Sequence, residues 1–167
     1  MYQFLAATGN STALSQDQME MTGVLMAGLG AVAIVGCVFV LIAVALIWLT
    51  YDAAKAADPD KQTMKPGFVW LCLIPLFNLY WNFVAFPAVS DSLAATARGK
   101  GKDVGDAGRS VGMAFCCLAI LAFLLGVINQ LTRNSLEGLE LIAYVIVFIL
   151  HIVYVVKVRK AKAVINS

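Results

Sequence analysis

The sequence predicts an all-α integral membrane protein with three to four transmembrane helices, and three observations lead there. Of 167 residues, 61% are hydrophobic and only 13% charged, with a mean hydropathy of +0.85, whereas soluble domains run near 45–50% apolar and about 25% charged. Four apolar stretches, residues 21–51, 68–89, 110–132 and 139–158, approach or exceed the roughly 20 residues a helix needs to cross hydrocarbon. Lys and Arg fall between these stretches or at and after the end of the last, as membrane topology requires. The length suits one membrane domain, 1–167. Composition excludes disorder, a nucleic-acid-binding arm and an ordinary cytosolic enzyme.

Segment one, Met21 to Tyr51, carries no charge. At about 1.5 Å per residue it exceeds the hydrocarbon thickness, so it should tilt or project. The preceding MYQFLAATGN lacks the basic and apolar regions of a cleavable signal peptide, and an uncleaved polar leader is expected. Asn10-Ser11-Thr12 fits a glycosylation sequon, read here as unmodified. Segment two, Phe68 to Val89, should be irregular. Pro75 removes a backbone donor and disfavours helical geometry at Ile74. Asn78 is placed to satisfy carbonyls freed by that break, with Trp81 following. Two readings stand, a Pro-kinked spanning helix and a re-entrant segment held by protein contacts. Segment three, Ser110 to Thr132, and segment four, Leu139 to Val158 with Glu140 at its start, are regular spans.

The basic residues orient the chain. If all four segments span, the better arrangement puts eight Lys and Arg inside and four outside. If segment two returns to its own side, the split becomes eleven against one, that one being Arg133. The N-terminus is then outside and both basic connections inside. Both readings place the C-terminus, with Lys157, Arg159, Lys160 and Lys162, in the cytoplasm.

Candidate chemistry is sparse. Cys37, Cys72, Cys116 and Cys117 all lie in apolar segments, where Cys acts as a small hydrophobe; no metal site is expected. His151 shares a face of segment four with Tyr144 and Phe148. A neutral imidazole there could ligate a haem or pigment, although helix packing by hydrogen bonding explains it more simply. No span holds Lys, Arg or Asp in its interior, the usual mark of coupled transport. Neither a Ser/His/Asp arrangement nor HExxH occurs. The loop Arg98–Ser110 lacks a phosphate-loop frame and reads as a flexible connector, and Asp58-Pro59-Asp60 reads as a turn. In segment one, Gly23, Ala27, Gly30 and Ala31 form a small-residue stripe suited to close helix approach.

The stretch Met64–Leu93 resembles a signature of small uncharacterised bacterial membrane proteins, a domain of unknown function. There Lys-Pro opens an aromatic segment, followed by Ile-Pro-x-Phe-Asn-x-Tyr-Trp and a short polar helix. Lys65, Pro66, Ile74, Pro75, Phe77, Asn78, Tyr80 and Trp81 match it, while Gly67 departs from an aromatic position. The resemblance implies a helical membrane fold and a bacterial inner membrane, and no activity. The function expected is non-catalytic: an accessory, scaffold or self-assembling subunit, partnered by the bilayer and by its own copies or other membrane subunits. No cofactor and no nucleic acid are expected. The alternatives are a cofactor- or lipid-binding subunit using the His151 face, and a small pore or transporter around Asn78 and Asn82.

Overall fold

The computed structural model describes the backbone of residues 2–132 and 136–167, and side chains from residue 21 onward except 27, 31, 32, 133–135 and 137. The side chains of Ala27 and Ala31, those of Asn10-Ser11-Thr12, and the connection through Arg133 therefore lie outside the described residues. The described chain is helical, with no strand. It runs α1 (Tyr2–Ala54), a single 3-10 turn (Pro59–Lys61), a longer 3-10 limb (Pro66–Leu73), α2 (Phe77–Gly99), α3 (Arg109–Leu131) and α4 (Glu137–Asn166). Three described stretches are long and apolar enough to cross a membrane: Met21–Ala54, Arg109–Leu131 and Gly138–Asn166. Segment two contributes no such helix. It divides into the 3-10 limb, a turn, and an α2 that continues ten residues past the apolar run, through Ser90, Asp91 and Arg98.

The chain forms two compact units, Met1–Ile42 and Ala43–Ser167. In the first, every described side chain from Met21 to Leu41 is exposed, and a Cβ added at Gly23, Gly28, Gly30 or Gly36 would meet nothing. An apolar helix with exposed side chains is stable only in a solvent that is itself apolar, which is what lipid supplies.

The second unit has a dense core where the end of α1, α2, the start of α3 and the last half of α4 meet. Ile47, Ala53, Val69, Phe86, Leu93, Cys116, Tyr154 and Val158 are all buried there. Its centre is Tyr154, which is fully buried and donates its hydroxyl to the Phe86 carbonyl at 2.9 Å. The Phe86 ring meets Tyr154 at 4.7 Å and Phe115 at 5.2 Å, both edge-on, the favoured arrangement for aromatic pairs. Gly112 makes this possible. A Cβ there would stand 2.9 Å from the Tyr154 ring and 3.2 Å from the Phe86 Cβ, so α3 approaches through a position that only hydrogen can occupy. Nearby, Lys162 binds Asp52 at 2.7 Å and ties the end of α4 to the end of α1.

At the far end of the α3–α4 hairpin, Asn129 is 2% exposed. Its Nδ2 donates to Glu140 and its Oδ1 accepts the Leu136 N–H at 2.8 Å. One amide thus joins the end of α3 to the start of α4.

Substituting Gly112 by Ala should destabilise the detergent-solubilised protein by about 1–3 kcal/mol, as overpacking does. Gly23→Ala, facing open space, should leave the melting temperature unchanged. Paired thermal melts of the two variants check the contrast.

Candidate functional site

The most distinctive local structure is a folded-back hairpin made from segment two and the connection before it. Four hydrogen bonds fix its direction. Asp58 N–H donates to Thr96 Oγ1 at 3.0 Å, Thr63 N–H to Ser92 Oγ at 3.0 Å, Thr63 Oγ1 to the Ala88 carbonyl at 3.0 Å, and Trp81 Nε1 to the Phe68 carbonyl at 2.8 Å. Partner numbers rise along the limb as they fall along α2, so the two run antiparallel.

The reversal occurs at Pro75–Phe77. Phe77 N–H donates to the Pro75 carbonyl at 2.7 Å, and Leu76 between them has φ +62° and ψ −44°. This is a γ-turn with its central residue at positive φ, a rare and strained geometry, costing on the order of 1–3 kcal/mol for a side-chain-bearing residue. Contacts below the turn hold it. Trp81 stacks on Phe77 at 5.4 Å and meets Phe68 edge-on at 6.4 Å. The tip presents apolar surface outward: Ile74, Leu76 (72% exposed), Phe77 and Tyr80 are all exposed.

The sequence-predicted residues fare differently in this geometry. Pro75 does break segment two. Asn78 supports the break through its backbone N–H, bonded to the Ile74 carbonyl at 3.0 Å; its side chain makes no hydrogen bond among the described residues. Near the turn, the side chain that bridges to the 3-10 limb is that of Trp81. Asp58-Pro59-Asp60 turns as expected, with Asp58 preceding the 3-10 turn.

His151 packs into the core, its ring 4.7 Å from Phe115 and 5.6 Å from Phe86. Its Nε2 and the Asn82 Oδ1 are buried without hydrogen-bond partners. Tyr144 lies elsewhere, with its hydroxyl beside Gly126 near Glu140. His151, Tyr144 and Phe148 share a helix face, but His151 and Tyr144 meet different parts of α3. Gly23 and Gly30 are open.

Sequence reasoning missed the carboxylate that braces the start of α3, two residues ahead of its N-cap Gly108. Asp106 accepts Gly108 N–H at 3.0 Å and Ser110 N–H at 2.9 Å, with Lys157 at 4.0 Å. Its position four residues before Ser110, ahead of an apolar run, is an N-terminal helix signal. The bonds from Ser110 and Gly108, helped by Lys157, hold its carboxyl at about 2, below its ordinary 3.8. The loop Arg98–Ser110 is thus a connector with a built end.

Residues 10–113 match a family profile described as a domain of unknown function, DUF4328. The chain belongs to the DUF4328 family. The matched region takes in most of α1, the whole folded-back hairpin, α2 and the first turn of α3. No curated protein and no solved structure matches the chain. The family assignment thus supplies a domain and no activity.

Asp106 makes the stability of this region pH-dependent. A carboxylate whose folded pKa is depressed stabilises above its unfolded value and loses that contribution as pH falls through the folded one. The protein should therefore lose stability between pH 3.8 and about pH 2, and Asp106→Ala should remove that component. Melting temperatures of both proteins across this range check it.

Proposed function

We propose that this DUF4328 protein is a non-catalytic integral membrane protein that acts as an accessory or self-assembling subunit of a larger membrane complex. The observation that carries this reading is the first unit. Its apolar helix exposes every described side chain from Met21 to Leu41 and leaves Gly23 and Gly30 open. Small residues permit the close backbone approach by which helices associate in lipid, where burial of apolar surface gives little drive. Exposed small and apolar positions of this kind suit contact with a second copy or another membrane subunit.

The fold also supports one arrangement in the membrane. With the hairpin returning to its own side, three spans remain, and the termini lie on opposite faces. The basic residues then divide eleven to one, with the N-terminus outside and the C-terminus and both basic connections inside a bacterial cytoplasmic membrane. His151 serves packing in this reading, its ring set against Phe86 and Phe115, and no cofactor is required.

Gly30→Leu tests the role. Native-mass measurement should show smaller assemblies, while the melting temperature of the monomer stays that of wild type. An unchanged assembly distribution would remove the proposal's main support. Orientation is tested separately, with the four native cysteines replaced and single cysteines placed at Ser11, Gln62 or Ser92. An impermeant thiol reagent applied to intact cells should label the Ser11 position alone.

A further inference from the structure

Between the connection and α2 lies a groove of about 660 Å³, within the size range of small-molecule sites. Its lining combines two chemistries: Gln62 and Lys65 are polar, while Phe68, Trp81 and Val84 are largely apolar. The Trp81 indole N–H is already given to the Phe68 carbonyl, so the ring offers the groove an apolar face and no donor. Gln62 has one amide hydrogen engaged, on the Ala57 carbonyl at 2.9 Å, which leaves its second free. Lys65 is exposed and forms no ion pair among the described residues. Lys100, Arg109, Lys157 and Lys162 each have a carboxylate partner.

We infer that this groove binds an anionic phospholipid of the surrounding leaflet, with its phosphate on the Lys65 ammonium and an acyl chain along Phe68, Trp81 and Val84. The inference rests on the reading that the hairpin re-enters the membrane. Two features select a lipid over a soluble anion. The apolar lining of the groove includes Phe68 and Trp81, the side chains that lead to the exposed tip at Leu76 and Phe77. A ligand whose tail already lies in hydrocarbon can therefore slide in without crossing water. The cationic group belongs to the Lys-bearing connection, the level at which headgroups sit when the tip points into the bilayer. A free phosphate would satisfy Lys65 and leave the aromatic lining uncovered, and a neutral lipid would leave Lys65 unpaired.

The test uses the full chain with Trp81 as its only tryptophan (Trp48→Phe, Trp70→Phe), reconstituted in phosphatidylcholine vesicles. A small fraction of lipid carries acyl-chain bromines, on either phosphatidylglycerol or phosphatidylcholine. Brominated phosphatidylglycerol should quench Trp81 at about a fivefold lower lipid fraction, the scale of one Lys acting on an anionic headgroup. Lys65→Gln should abolish the preference, and Lys100→Gln, whose ammonium faces Asp58, should keep it. Equal quenching by the two lipids, or a preference that survives Lys65→Gln or vanishes with Lys100→Gln, overturns the lipid site and leaves the re-entrant reading standing. If neither lipid quenches Trp81 while aqueous acrylamide does, the hairpin lies outside the bilayer and both readings fall.

Discussion

The second unit is organised around the buried hydroxyl of Tyr154. In hydrocarbon or in a packed core, a phenol O–H without an acceptor is costly, so the position of Tyr154 is fixed by whatever carbonyl can receive it. That carbonyl belongs to Phe86, in the middle of α2. The bond sets the height of α4 against α2, and Gly112 lets α3 close over the pair. With the register set there, Lys162 falls opposite Asp52 and Lys157 falls beside Asp106. The hairpin then has a rigid α2 to fold back upon.

That hairpin resolves the problem that Pro75 creates. A proline in an apolar run frees a carbonyl and breaks the helix, and bare backbone is not tolerated against lipid. Continuing through the break as a kinked helix would leave the repair to neighbouring helices. The chain instead reverses at Leu76 and uses α2 as the partner for its first limb, through Thr63, Trp81 and the hydroxyls of Ser92 and Thr96. The strain at Leu76 is sustained because Trp81 and Phe77 stack directly beneath it.

Burial is uneven among the described residues. Buried side chains gather at the end of α1, along α2, at the start of α3 and in the last half of α4. The described side chains of Met21–Leu41 are exposed.

By itself, the sequence determined the solvent and the class of fold. Apolar runs of span length, with Lys and Arg confined to their ends, leave only helices in a bilayer, since no other open element satisfies its backbone there. It also determined that segment two would break at Pro75, because a missing N–H is a local property. It left open whether that segment crosses or returns, and only the tertiary structure decided on the antiparallel limb. The deciding bonds join residues 13 to 38 positions apart and leave no periodic trace. The same holds for Asn129, whose partners across the α3–α4 turn lie seven and eleven residues away. For His151, which shares a face with Tyr144, the two rings are two turns apart and meet different stretches of α3. Periodicity places side chains on a face of a helix, and only packing decides what stands opposite.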